Sequence, residues 1–316
     1  MKGKTIFWFC LLVLALIAVL AGYHDFTISR HEIVHATLEG VARQFTDLNN
    51  WKRWHPDFAQ PGVKTAVNTG KGKQEIAYPG GTYRIQLLHA AAVLVTRVEN
   101  NKTTDFSLTA LPYRDGSSTY VAYAQALSGF GWLRQKISGR DDIQPVLKGL
   151  QLLAEDDSRR YGFSITTVPV TDTLILTTRV QVPEDSILST IQVLHRRLKD
   201  YCRMNKIAIP QNYYYLSTRF LANGRAELAA GIPVHTTAVS QHRDFELLKL
   251  PVNGRLVAGR YSGQYAGKHL LYEAMTSYML DKHLKKVAQP LEQYRDTDTA
   301  FTAGSIVSMQ IFFPVY

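Results

Sequence analysis

The chain has 316 residues, 46% of them hydrophobic and 20% charged, and carries a formal net charge of +10. This composition is that of an ordinary globular protein, and it excludes a disordered chain, a collagen-like repeat and a protein with many membrane spans. Only two cysteines are present, which excludes a disulfide scaffold, and the length predicts two domains at roughly 100–200 residues each.

The first predicted element is an uncharged apolar run over residues 5–22. As a helix rising about 1.5 Å per residue, the run spans roughly 27 Å, close to the thickness of a bilayer core. Lys2 and Lys4 precede it, so the positive-inside rule predicts a single-pass anchor in the inner (plasma) membrane, with the soluble domains on the non-cytoplasmic side. Residues 1–25 are therefore interpreted as a membrane anchor or signal-anchor. A cleaved signal peptide is the alternative, although the apolar run is long for one.

Residues 27–155 predict an α+β domain, because alternating strand patterns are framed by helical ones. The predicted elements are a strand at His31–His35, a helix at Leu38–Thr46, a helical turn at Trp51–Trp54, strands at Gln74–Tyr78, Tyr83–His89, Val93–Val98, Asp105–Leu111 and Ser118–Leu127, and a helix at Ile143–Leu153. The last helix carries an apolar stripe on one face, which indicates that it packs on the sheet.

The motif Thr46-Asp-x-x-x-Trp51-x-x-Trp54-x-Pro56 and this element order resemble the START/Bet v 1-like superfamily, also called SRPBCC or polyketide cyclase/dehydrase. The resemblance implies a helix-grip fold, in which a curved antiparallel sheet surrounds a long C-terminal helix and encloses a cavity for apolar ligands. Trp51 and Trp54 are interpreted as core residues, with a wall of that cavity as the alternative. The histidines of this segment lack the spacing of metal ligands, and no catalytic set is predicted.

Residues 160–316 predict a second α+β domain after a charged linker at Glu155–Arg160. The predicted elements are strands at Tyr161–Val168 and Leu174–Val182, a helix between Pro183 and Pro210, strands at Tyr213–Phe220, Ala226–His235, Phe245–Pro251 and Arg255–Tyr261, a helix at Lys268–Lys286, a connection at Pro290–Asp296 and a strand at Ser305–Tyr316. Two strand–helix–strand units of about 75 residues predict a duplicated fold with pseudo-twofold symmetry, which leaves a groove between its two helices.

Several short motifs of this half carry a second resemblance. They are Ile232-Pro-Val234, Ala258-Gly-Arg-Tyr261, Tyr265 with Gly267, Glu292-x-Tyr294 and the closing Gln310-Ile-Phe-Phe-Pro-Val315. Together they resemble the GyrI-like, SoxR-like or AraC-type effector-binding domain. The resemblance implies a groove with aromatic walls that binds small molecules. It also implies a buried acid on the last strand, which serves hydrolysis in some members.

This chain has Gln310 at the position that the resemblance assigns to the acid. An amide is neither a general base near pH 7 nor the ionic partner of a cation, so we expect a groove with an uncharged base and no catalytic residue. No metal and no cofactor are expected. Glu292 or Glu273 could substitute for the acid, but the sequence places neither in the groove. The candidate ligand-binding residues are Tyr214, Tyr261, Tyr265, Tyr294, Gln310 and Phe312, with the filling of an ordinary core as the alternative for each aromatic.

The sequence therefore favours a membrane-anchored protein that binds a hydrophobic or amphipathic small molecule in two cavity modules. A hydrolase or a cyclase/dehydratase-like enzyme acting on a hydrophobic small molecule is the alternative. A transcriptional regulator is disfavoured because the sequence contains no long run of like charges and no recognition-helix pattern. We accordingly expect no nucleic-acid partner, and the oligomeric state stays open.

Overall fold

The computed structural model describes residues 25–58, 66–70, 73–138, 143–236, 244–295 and 304–316, together with residues 8, 11–13, 15, 19 and 302. The chain divides into two compact units, Met1–Asp156 (unit 1) and Asp157–Tyr316 (unit 2). Each unit combines one antiparallel sheet with helices, so the predicted α+β class is confirmed.

Unit 1 contains a seven-stranded sheet in the order β1-β7-β6-β5-β4-β3-β2. Its strands are β1 (Asp25–Val34), β2 (Ala66–Gly70), β3 (Lys73–Tyr78), β4 (Gly81–His89), β5 (Ala92–Glu99), β6 (Lys102–Tyr113) and β7 (Ser118–Ser128). Strands β2 to β7 pair in chain order, while β1 pairs with β7 from Asp25↔Ser128 to Val34↔Thr119. The sheet is therefore a meander whose last strand is joined by the first.

The helices of unit 1 are α1 (Leu38–Thr46), α2 (Leu48–Trp51), α3 (Gly129–Ser138) and α4 (Ile143–Glu155). Helix α4 buries Ile143, Leu147 and Leu150 along one stripe, as the sequence pattern predicts. Trp51 and Trp54 are buried, and their indole N–H groups donate hydrogen bonds of 3.0 Å to main-chain carbonyls of α1. Both tryptophans are thus core residues that lock the helical turn against α1.

Unit 2 contains an eight-stranded sheet in the order β12-β9-β11-β10-β14-β15-β13-β8. Its strands are β8 (Ile165–Pro169), β9 (Leu174–Pro183), β10 (Tyr213–Phe220), β11 (Arg225–Pro233), β12 (Glu246–Lys249), β13 (Arg255–Gln264), β14 (Leu291–Arg295) and β15 (Ile306–Val315). Outward from β10 the strand order is β11, β9 and β12, and outward from β14 it is β15, β13 and β8. Each half of the sheet therefore places its four strands in an equivalent order. This order supports the internal duplication, which stays a prediction.

The helices of unit 2 are α5 (Asp157–Tyr161), α6 (Ile187–Met204) and α7 (His269–Asp281), and short 3-10 turns at Glu184–Ser186 and Tyr265–Lys268 lead into α6 and α7. Helix α6 packs on β9 and β11, while α7 packs on β13. Helix α7 ends before the predicted Lys286. His283 lies just beyond it with φ of 54°, in the left-handed region that an α-helix does not use.

Other parts of the prediction also differ from the structure, and strand β2 was not predicted. The charged linker is helical, since α5 follows α4 directly and Arg160 is buried with its guanidinium on Asp157. The predicted connection at 290–296 contains strand β14, which pairs with β10 on one side and with β15 on the other. Helix α3, which the sequence analysis missed, leaves Phe130, Leu133 and Ile137 exposed and so has no clear inward stripe.

No helix among the described residues is long and apolar enough to cross a membrane. The predicted anchor at residues 1–25, with its apolar run at 5–22, lies mostly outside the described residues, and the few positions described between 8 and 19 are helical.

Candidate functional site

A groove of about 600 Å³ opens in unit 2 where the first turns of α6 and α7 face β10 and β14. We call it the helix-side groove. Its walls are formed by Glu184, Ile187, Leu188, Thr218, Phe220, Tyr265, Ala266, Lys268, His269, Tyr272, Pro290 and Glu292. Tyr265, Lys268, Tyr272 and Glu292 gather at the base, whereas Glu184 and His269 are exposed. Most of the remaining wall is hydrophobic. The volume lies in the range of pockets that hold small organic molecules.

Glu292 forms the base of the helix-side groove and is almost completely buried, with 3% of its surface exposed. Its Oε1 accepts hydrogen bonds from the Tyr272 hydroxyl at 2.6 Å and from Lys268 Nζ at 2.7 Å. Its Oε2 accepts hydrogen bonds from the Tyr294 hydroxyl at 2.7 Å and from Lys268 Nζ at 2.9 Å. An ionised carboxylate accepts about four hydrogen bonds, so both oxygens are fully used.

Lys268 is the last residue of the 3-10 turn that precedes α7, and this position aims its side chain at β14. Its ammonium group also donates a hydrogen bond of 2.7 Å to the Tyr265 hydroxyl and lies 4.1 Å from the centre of that ring. Burial by itself lowers the pKa of Lys268, but the Glu292 carboxylate and the Tyr265 hydroxyl together outweigh this effect, and the pKa is raised overall. The lysine therefore stays charged and balances Glu292.

The tyrosines around Glu292 serve as hydrogen-bond donors. Burial, followed by the nearby Glu292 charge, raises the pKa of Tyr272 and of Tyr294 above the ordinary tyrosine value. Burial likewise raises the pKa of Tyr265. All three phenols are consequently protonated at neutral pH. The base of the groove therefore combines one cation, one anion and the phenols of Tyr265 and Tyr272, while Tyr294 donates to Glu292 from outside the groove lining.

The six residues predicted to bind ligand are divided among several places: Tyr261, Tyr294 and Gln310 line one hollow, Gln310 and Phe312 line another, and Tyr265 lines the helix-side groove. Tyr265 and Tyr294 meet at Glu292, but Tyr214 is fully buried and stacks on His195, with 4.2 Å between ring centres. Tyr261 is buried as well, and its hydroxyl donates to the carbonyl of Gln264. Tyr214 and Tyr261 thus contribute to the core of unit 2.

Gln310 and Phe312 lie on the opposite face of the sheet from Glu292. Glu292 pairs with Ile311, which is fully buried, whereas Gln310 and Phe312 alternate with Ile311 and line a different hollow. The expectation of an uncharged base, drawn from Gln310, is wrong because the carboxylate comes from β14. Gln310 therefore says nothing about whether the groove holds an acid.

The sequence analysis missed Lys268 and Tyr272, and it left Glu292 unplaced. Lys268 and Tyr272 are four residues apart, a spacing that places two side chains on the same face of a helix. Glu292 and Tyr294 are two residues apart, a spacing that places them on the same face of a strand. These spacings were the available signals for a shared site.

In unit 1, one end of the domain is filled by aromatic rings. His55 stacks on Trp51, with 4.9 Å between ring centres, and also contacts Phe58 and Tyr83. The Tyr83 hydroxyl donates a hydrogen bond of 2.5 Å to Asp57. Burial lowers the pKa of His55 to about 4, so the imidazole is neutral at pH 7.

No protein-family model and no curated protein matches the chain. Among solved structures, the C-terminal domain of EcmrR is 15% identical and covers 49% of this chain and 98% of its own, with a TM-score of 0.40. The Zhui aromatase/cyclase from Streptomyces sp. R1128 is 15% identical over 42% of this chain and 94% of its own, with a TM-score of 0.33. A START superfamily protein from Mycobacterium smegmatis is 14% identical over 41% of this chain and 97% of its own, with a TM-score of 0.33. Both resemblances suggested by the sequence are represented among these structures.

Proposed function

We propose that this protein binds a neutral hydrophobic or amphipathic small molecule in the helix-side groove. One observation carries the proposal: a mainly hydrophobic wall stands above a base whose charges cancel. Burial of apolar ligand surface supplies the driving force, at roughly 25 cal/mol per Å². The phenols at the base supply polar atoms that orient a ligand hydroxyl or carbonyl.

Charge balance argues for a neutral ligand. A cationic ligand would compete with Lys268 for Glu292, and an anionic ligand would compete with Glu292 for Lys268. Either exchange leaves a buried charge without its partner, which is costly because only 20% of the Lys268 side chain and 4% of the Glu292 side chain are exposed. The remaining carboxylate of the wall, Glu184, is exposed at the rim, where water screens it.

The sequence adds two further elements to this proposal. Unit 1 is a second cavity module of the START-like type, and residues 5–22 anchor the chain in the inner (plasma) membrane with both units on the non-cytoplasmic side. The uncharged run and the lysines before it support the anchor. An anchored binding protein would hold a sparingly soluble ligand close to the lipid surface.

A hydrolase is the second candidate, and it is favoured by the buried carboxylate at the base of the groove. A general base needs a free lone pair directed at the proton that it removes. Glu292 accepts four hydrogen bonds from its neighbours, so no lone pair is left for a water molecule or a substrate. Binding is accordingly the better supported function.

Native mass spectrometry of the full-length protein with N-phenyl-1-naphthylamine, a neutral apolar amine, tests the proposal. Leu188→Arg places a charged side chain in the groove wall, and the matched control Val193→Arg places it at an exposed position of the same helix. We expect Leu188→Arg to bind one molecule fewer than wild type and Val193→Arg to bind as wild type does. Equal binding by Leu188→Arg and wild type would contradict the proposal. Hydrolysis of p-nitrophenyl butyrate that disappears in Glu292→Gln would favour the hydrolase instead.

A further inference from the structure

A second hollow, of about 450 Å³, lies on the face of the unit 2 sheet opposite the helix-side groove. We call it the reverse-face hollow. A row of polar side chains crosses it on four neighbouring strands, because Arg260 pairs with Gln310, Gln310 pairs with Gln293, and Gln293 pairs with Tyr215. Residues in register on antiparallel strands point to the same face, so the four side chains form one continuous strip.

The two ends of this strip differ in how their hydrogen-bonding groups are used. At one end the Tyr215 hydroxyl donates to Asp172 at 2.5 Å and accepts a hydrogen bond from Gln293. At the other end, Arg260 and Gln310 make no ion pair or side-chain hydrogen bond with any other residue in the described part of the chain. The free guanidinium and the free amide therefore offer unused N–H donors to a ligand.

The remaining wall of the reverse-face hollow is largely apolar. Leu256 and Phe312 are buried there, and Val168, Ala258 and Leu291 pack against the same cluster. A hollow with a cation at one end and apolar side chains along its length suits an amphiphile with an anionic head. The planar fork of an arginine matches a carboxylate better than a spherical anion.

We propose that the reverse-face hollow binds a carboxylate-bearing amphiphile, with the carboxylate on Arg260 and Gln310 and the apolar body against Leu256 and Phe312. Asp172 does not repel such a ligand strongly. It accepts hydrogen bonds from two tyrosine hydroxyls, and it lies at the far end of a strip that spans about 14 Å, given roughly 4.8 Å between strands.

The residues of a neighbouring hollow also favour a negatively charged ligand. This hollow shares Arg260, Gln293 and Gln310 with the reverse-face hollow and is also lined by Arg295. The polar strip is thus open from two sides, and arginine side chains line both hollows. This site differs from the helix-side groove in both position and ligand charge, so each proposal can be refuted without affecting the other.

Isothermal titration calorimetry of the full-length protein with octanoate, and with 1-octanol as the neutral ligand of equal chain length, tests the proposal. We expect wild type to bind octanoate more tightly than 1-octanol and Arg260→Gln to bind octanoate about tenfold more weakly, the scale for losing one hydrogen bond to a charged group. The control Arg179→Gln removes the same charge from an exposed ion pair with Glu246 and should bind octanoate as wild type does.

Two results would overturn the proposal. The first is octanoate binding in Arg260→Gln that equals wild type, since the guanidinium would then have no role. The second is loss of octanoate binding in Leu188→Arg, because the ligand would then occupy the helix-side groove. Arg260 is exposed and makes no side-chain bond within the described residues, so its replacement tests binding without unfolding unit 2.

Discussion

Replacing Glu292 by glutamine is the most direct perturbation of the helix-side groove. The change keeps the shape of the side chain but removes its charge, and Lys268 is left as a mostly buried cation with 20% of its side chain exposed. Removing one partner of a buried ion pair costs about 3–5 kcal/mol. Because Lys268 keeps some contact with water, we expect the lower end, about 3 kcal/mol of unfolding free energy for unit 2.

The double variant Lys268→Met with Glu292→Gln separates the ion pair from its surroundings. Removal of both charges leaves no uncompensated ion, and such replacements are often neutral or stabilising. We therefore expect the double variant to be more stable than Glu292→Gln alone. Glu273→Gln is the matched control, since Glu273 is an exposed carboxylate on α7.

Hydrogen exchange of the full-length protein, read by mass spectrometry on peptides from α7 and β14, measures these effects. Tryptophan fluorescence cannot serve here, because all four tryptophans lie within residues 1–156. A loss of about 3 kcal/mol corresponds to roughly 100-fold faster exchange in Glu292→Gln, at about 1.4 kcal/mol per factor of ten. The reasoning is refuted if Glu292→Gln exchanges like wild type, or if the double variant exchanges as fast as the single one.

Two predictions concern unit 1, whose unfolding in urea the tryptophan fluorescence reports. Burial lowers the pKa of His55 to about 4, whereas the unfolded chain binds a proton near pH 6.5, so stability falls as the pH drops from about 6.5 to 4, by up to about 3 kcal/mol. In His55→Gln we expect this part of the pH dependence to vanish; an unchanged pH profile would show that His55 is not buried and neutral. A Cβ at Gly149 would lie 2.3 Å from the carbonyl oxygen of Trp54, so Gly149→Ala should destabilise unit 1 by about 1–3 kcal/mol despite its better helix propensity. Gly131→Ala, whose nearest contact would be an ordinary 3.4 Å, should be neutral or stabilising, and equal effects of the two changes would contradict the packing argument.

Local sequence patterns were sufficient to predict most of the helices and strands. Helix α1 has the predicted bounds, Leu38–Thr46, and the buried stripe of α6 follows the predicted spacing. Hydrophobic periodicity works here because each of these elements buries one face continuously. The sequence analysis missed helix α3 because this helix exposes its large apolar residues. It missed strand β14 because the strand is short and its buried face carries Glu292 and Tyr294, so the burial is not matched by an apolar alternation.

The candidate site was predicted less well than the fold. Tyr265 and Tyr294 were named and lie at Glu292, but Gln310 was assigned to the same place and lies on the other face of the sheet. In a strand, neighbouring residues point to opposite faces, so an error of one position exchanges one environment for the other. Only the pairing of β14 with β15 decides which residue faces the helices.

The sequence by itself determined the α+β class, the two-unit organisation and the aromatic character of the C-terminal half, because composition and periodicity are properties of short segments. The tertiary structure alone decided that Glu292 meets Lys268 beneath two helices, and that Arg260 and Gln310 share a strip on the reverse face. These groups are distant along the chain, and strand register and helix packing, which no short segment encodes, bring them together.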